Sequence, residues 1–175
     1  MKKQEAAKTV PQQIQVKQAS VVQGTGSVWN TNSYHWEEKS VTKWADDTLK
    51  EVVSTFKTKI ADAHIKITEV KEFKGEASVS IRKGKKIVQF DYSMKLCWEA
   101  LLLDKDDVLT AKLTGMYELP EVSNDEEYDK WEVRNVYLED KHNMRDMMNQ
   151  FMRLLVPNEL RKQINEKFVE ELKKK

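Results

Sequence analysis

The sequence predicts an α+β fold: an N-terminal helix, a meandering antiparallel sheet of four to five strands, and a long or kinked C-terminal helix packed on that sheet. Three observations predict it. Between about Val41 and Ile60, apolar residues recur at steps of three and four, the stripe of an amphipathic helix. From His64 to Leu138 they recur in runs at every second place, as in strands with one wet and one buried face. From about Asp140 the helical spacing returns.

The elements follow in order. Residues 1–27 are rich in Gln, Lys, Ser and Val, carry Pro11, Gly24 and Gly26, and hold no sustained period; they read as a flexible extension. The domain proper is expected to span 28–175. It opens on Val28-Trp29-Asn30-Thr31-Asn32-Ser33-Tyr34-His35-Trp36, where the aromatics can plug one end of the core and the asparagines can make turn hydrogen bonds. The first helix uses Ala45, Leu49, Val52, Val53, Phe56 and Ile60, with Ser40 or Thr42 as its N-cap.

A strand over about His64–Phe73 then leads to a turn at Lys74-Gly75, because glycine tolerates positive φ. Two strands follow. Ala77, Val79 and Ile81 alternate in the first, and Val88, Phe90, Tyr92, Met94, Leu96 and Trp98 in the second. Asp104-Lys105-Asp106-Asp107 marks the next turn, Leu109–Tyr117 the next strand, and Pro120 its end. Glu121–Asp129 holds five acids and no base and reads as a solvated loop. Trp131–Leu138 is the fifth strand. The last helix has Met144, Met147, Met148, Phe151 and Leu155 before a break at Pro157, and Leu160, Ile164, Phe168 and Leu172 after it.

Composition narrows the chemistry. The 30 Lys and Arg against 29 Asp and Glu leave a formal charge of +1, so electrostatic recognition must be local rather than spread over the surface. Cys97 is the one cysteine. No internal disulfide can form, and a reducing, cytoplasmic compartment is expected. No apolar run approaches the ~18 residues of a membrane span. His35, His64 and His142 lie apart without ligand spacing, which argues against a zinc site. There is no phosphate-cradling loop and no Gly-x-Ser-x-Gly elbow. A non-enzymatic protein without cofactors, working as a monomer, is expected.

The most basic short run, Arg82-Lys83-Gly84-Lys85-Lys86, falls between the two best-patterned strands. It therefore sits at a sheet end and faces solvent. Its side chains suit three readings: an ordinary soluble turn, a clamp on nucleic-acid phosphates, or a contact with an acidic patch on a protein partner. The near-zero net charge and the polar residues Gln89, Asp91, Ser93, Lys95 and Glu99 beside the run offer bases little to stack on.

Two stretches together resemble a known family. Gly75-Glu76-Ala77-Ser78-Val79-Ser80-Ile81-Arg82-Lys83-Gly84-Lys85 is similar to the hairpin motif of the activators of the heat shock protein 90 chaperone's ATPase. Asn30-Thr31-Asn32-Ser33-Tyr34-His35-Trp36 resembles the same family's Asn-x-Asn-Asn-Trp-His-Trp motif, with Ser33, Tyr34 and, in the hairpin, Ile81 as departures. The resemblance runs from roughly Trp29 to the C-terminus. The family's second, lipid-transfer-like domain has no counterpart here, so the chain is similar to single-domain members or to a fragment.

The resemblance implies a co-chaperone that docks on the chaperone's middle segment through Arg82, Lys83, Gly84 and Lys85 and repositions a catalytic loop there. It implies that Asn30, Asn32, His35 and Trp36 tune nucleotide turnover. The alternative is a nucleic-acid-binding module using the Arg82–Lys86 hairpin.

Overall fold

The computed structural model describes residues 28–29, 36–137 and 150–175. Its elements are β1 (Glu37–Ser40), α1 (Thr42–Ser54), β2 (Lys57–Ile60), β3 (Ala63–Arg82), β4 (Lys85–Leu103), β5 (Leu109–Ser123), β6 (Arg134–Tyr137) and a C-terminal helix, α2, over residues 151–173. All strand pairs are antiparallel. The order across the sheet is β1-β3-β4-β5-β6, with β2 also paired to β3. β4 takes one edge of β3, so β1 and β2 share the other, β1 near the end of β3 and β2 near its start. The expected α+β architecture is present, with more strands than the sequence pattern predicts.

Alternation places the core. Ala77 pairs with Phe90 and Val79 with Val88, so the inward residues of both strands share one face. Phe90, Tyr92, Met94, Leu96, Trp98, Ala100 and Leu102 of β4 are all buried there. α1 lays Ala45, Leu49, Val52 and Val53 on this face. The Phe168 ring of α2 meets Phe90 and Tyr92 edge-on, at centroid distances of 5.6 and 5.9 Å, and stacks on Trp44 of α1. The Tyr92 hydroxyl donates to Asp46 Oδ1 at 2.9 Å; burial first, then that bond to a carboxylate, pushes its pKa well above the ordinary tyrosine value. Cys97 is buried.

Several boundaries differ from expectation. The first helix stops at Ser54, and the residues expected as its last turn form β2. In Lys57-Thr58-Lys59-Ile60 a period of two and a period of four overlap, and pairing with Lys66–Ala63 decides for the strand. Neither Ser40 nor Thr42 caps α1, whose N-cap is Val41 with no side-chain cap bond. Thr42 Oγ1 instead bridges to β3, donating to the Ala77 carbonyl and accepting from the Ala77 N–H, both at 3.1 Å.

Gly75 is not a turn. β3 runs straight through it, opposite Tyr92. A Cβ at Gly75 would lie 2.3 Å from both the Asp91 carbonyl oxygen and Tyr92 Cδ1, so glycine is needed for close approach rather than for positive φ. Nor does Pro120 end its strand. β5 continues to Ser123, and the proline falls where the register shifts between Tyr92 and Met94, which removes the need for its missing N–H. In the region expected as the fifth strand, pairing covers Arg134–Tyr137, while Trp131 is buried ahead of it and donates from Nε1 to the Ser123 carbonyl at 2.9 Å.

α2 passes Pro157 without a break. Its buried stripe is Met152, Val156, Leu160, Ile164, Phe168 and Leu172, all fully buried, whereas Leu155, expected in the stripe, is exposed. Four residues of α-helix turn about 400°, so a repeat of four drifts by about 40° per step. Over five steps the drift would carry Leu172 out of the core. Two π-helical stretches, Phe151–Leu155 and Asn165–Val169, have wider turns and cancel it. The first also precedes Pro157, which sits in the opening turn of the α-helical stretch Val156–Ile164, where no N–H is needed. Met144, Met147 and Met148 lie outside the described residues. No helix among the described residues is long and apolar enough to cross a membrane.

Candidate functional site

The two longest strands converge on the basic run. β3 and β4 stay paired from Ala63↔Leu102 to Arg82↔Lys85, and two residues close the hairpin. Lys83 has φ 50° and Gly84 φ 75°. Positive φ at both central places is the type I′ turn, whose twist matches that of paired strands. A Cβ at Gly84 would meet nothing within 4 Å, so glycine is there for its conformation alone. Lys83 has no such freedom, and a non-glycine residue in the left-handed region costs roughly 1–2 kcal/mol.

Arg82, Lys83, Gly84, Lys85 and Lys86 are all exposed. None of the four cations forms an ion pair with the described residues. The pairing Ile81↔Lys86 continues the row of the core face, and Arg82↔Lys85 that of the outer face, which no helix covers. The exposed Ile87 shares the outer face, one pair further from the tip.

Trp36 joins the hairpin. The register Glu37↔Ile81, Glu38↔Ser80 brings the residue before β1 beside Arg82, and the Arg82 guanidinium carbon lies 5.9 Å from the centroid of the Trp36 ring. Two stretches far apart in sequence thus meet at one sheet end. Trp36 is 58% exposed and plugs no part of the core. Asn30, Asn32 and His35 lie outside the described residues.

Further down the ladder from the tip, a cleft of about 350 Å³ opens on the same outer face, with Glu38, Glu76, Asp91 and Asp125 in its wall beside Ser78 and Gln89. Glu38, Glu76 and Asp91 form no ion pair with the described residues, so basic and acidic groups share this end of the outer face without neutralising each other. This arrangement suits a protein surface carrying both signs of charge. A polyanion backbone gains from the tip but is repelled by the cleft. The acids were invisible as a site in sequence, because such residues occur throughout the chain and only strand register assembles these.

Further along the outer face the charges are paired. Glu99 receives Lys66 at 3.1 Å and also Lys112. Their hydrogen bonds, that of Lys112 first, hold its carboxyl below the usual carboxylate range. Lys95 lies 3.0 Å from Glu72 and 3.7 Å from Glu118, and the bond to Glu72 raises its pKa. Among the described residues no cluster of His, Cys, Asp and Glu is able to hold a metal ion.

A family model described as "Activator of Hsp90 ATPase, N-terminal" matches residues 38–175, the hairpin included. The chain belongs to that family. Its match begins after Asn30, Asn32, His35 and Trp36. The bovine (Bos taurus) "Activator of 90 kDa heat shock protein ATPase homolog 2" is 34% identical over 104 residues, which are 59% of this chain and 38% of that protein. The "Hsp90 co-chaperone HCH1" of Saccharomyces cerevisiae is 33% identical over 107 residues, 57% of this chain and 69% of that protein. The match thus spans well under half of the bovine relative but most of the yeast one. The crystal structure of Aha-1 from Plasmodium falciparum superposes with a TM-score of 0.67 at 25% identity, covering 78% of this chain and 88% of that one. Family membership and this likeness agree with the α+β sheet-and-helix architecture.

Proposed function

We propose that this protein is a co-chaperone of Hsp90 that binds the chaperone's middle segment and stimulates its ATPase without catalysing a reaction itself. The observation that carries the reading is the exposed β3–β4 turn, whose four cations have no carboxylate partner among the described residues, in a chain of this family. Arg82, Lys83 and Lys85 meet acidic groups on the chaperone, Gly84 sets their geometry, and the long β3–β4 ladder braces them. The catalytic loop is repositioned by the difference between the activator's affinities for its two states; a tenfold acceleration needs about 1.4 kcal/mol of that difference. A few charge-assisted hydrogen bonds supply this much.

Asn30, Asn32, His35 and Trp36 act on the rate of turnover more than on affinity. The protein works as a cytoplasmic monomer. A steady-state ATPase assay of purified Hsp90 with the Arg82→Ala, Lys83→Ala, Lys85→Ala triple variant tests the reading. Lost stimulation by a variant that remains folded by circular dichroism is expected, and undiminished stimulation removes the hairpin from the mechanism.

A further inference from the structure

Among the described residues, the two sequence motifs touch where Trp36 meets Arg82. Arg82 is exposed and has no ion pair with the described residues. A long side chain at a hairpin end, with nothing to lean on, samples many rotamers and loses that freedom when it binds. On the outer face its neighbours are Lys85 across β4 and Glu38 two places along β1, and Glu38 makes no ion pair with it. What it has is the Trp36 ring, 5.9 Å away, within cation–π range. Trp36 takes no part in the core and is 58% exposed.

We infer that Trp36 is a positioning residue, whose ring holds the Arg82 guanidinium in the direction from which it meets the partner. The strand β1 exists on this edge to place that ring: its four-residue register against Ile81–Ser78 sets Trp36 beside Arg82. The role deepens the proposed function and rests on its assignment of Arg82 to the partner contact. It separates Trp36 from Lys83 and Lys85, which meet the partner without passing through another side chain.

Two measurements on the full chain test it. In the free protein, the Arg82 δ-protons should show an upfield ring-current shift by NMR that Trp36→Ala removes and Trp36→Phe largely keeps. In Hsp90 ATPase titrations, Trp36→Ala should lower the maximal stimulated rate about two- to fivefold, with a smaller change in the half-saturating concentration, Trp36→Phe should restore most of the loss, and Trp36→Ala should add nothing in an Arg82→Ala background. No ring-current shift, or additive effects of the two Ala variants, overturns the inference while the hairpin reading stands. A normal ring-current shift with an Arg82→Ala variant that stimulates fully overturns the hairpin reading itself, and the positioning role with it.

Discussion

The outer face of the sheet carries two charged regions built on the same strands. In the middle, Lys66, Glu99 and Lys112 form one cross-strand cluster and Glu72, Lys95 and Glu118 a row, the central Glu99 and Lys95 each meeting two opposite charges. Toward the hairpin, Arg82, Lys83, Lys85 and Lys86, and further down the same face Glu38, Glu76 and Asp91, form no ion pair with the described residues. The composition of the two regions is similar; what differs is pairing. Paired rows satisfy their own charges and have little to gain from another molecule. The unpaired end keeps its electrostatic energy for an encounter, where complementary charge raises association rate and specificity.

That contrast is open to attack at several points. The largest expected effect comes from Gly75, where β3 passes from one region to the other. Gly75→Ala forces a Cβ against the Asp91 carbonyl and the Tyr92 ring and should destabilise the fold by about 1–3 kcal/mol in urea unfolding. A stability within a few tenths of wild type would mean that the close packing there is not what joins the regions.

Next is function. The Arg82, Lys83, Lys85 triple Ala variant should lower Hsp90 stimulation about tenfold or more, equivalent to ~1.4 kcal/mol, with an unchanged unfolding midpoint. The matching triple Lys66, Lys95, Lys112 to Ala should leave stimulation near wild type. Equal losses from both triples would erase the distinction between paired and unpaired charge. The stimulation by wild type should also fall as salt rises from 50 to 200 mM, concentrations on the order at which screening lengths shrink to about a nanometre.

The smallest effects concern the paired rows themselves. Glu99→Gln should cost about 0.5–1 kcal/mol at pH 7 in denaturant unfolding, the scale of surface ion pairs. The Glu99 carboxyl is depressed in the folded state by Lys112 and Lys66. Its contribution is therefore present above the unfolded carboxylate pKa, about 4.3, and disappears as pH falls through the lower folded value. The wild type and Glu99→Gln stabilities should converge under strongly acidic conditions. A difference that persists there would show that the Glu99 ion pairs are not its source.

Much of the molecule was legible because alternation and helical spacing are local. The stripe Ala45, Leu49, Val52, Val53 predicted a helix and is one; Phe90 through Trp98 predicted a strand with one buried face and is one. The hairpin was legible as well, since a Lys-Gly pair between two alternating runs admits few other conformations. The errors fall where one residue has two physical uses. Gly75 served close approach instead of a turn, Pro120 sat at a register shift instead of a strand end, and Pro157 followed a wide helical turn instead of breaking the rod.

What the sequence by itself determined is the alternation that makes β3 and β4 strands, the positive-φ turn between them, and four cations held at its tip. What only the tertiary structure decided is the company they keep. Strand register brought Trp36 to Arg82, gathered Glu38, Glu76 and Asp91 into one cleft, and paired Glu99 with two lysines, because antiparallel partners are set by contacts between residues distant along the chain, which no local period encodes.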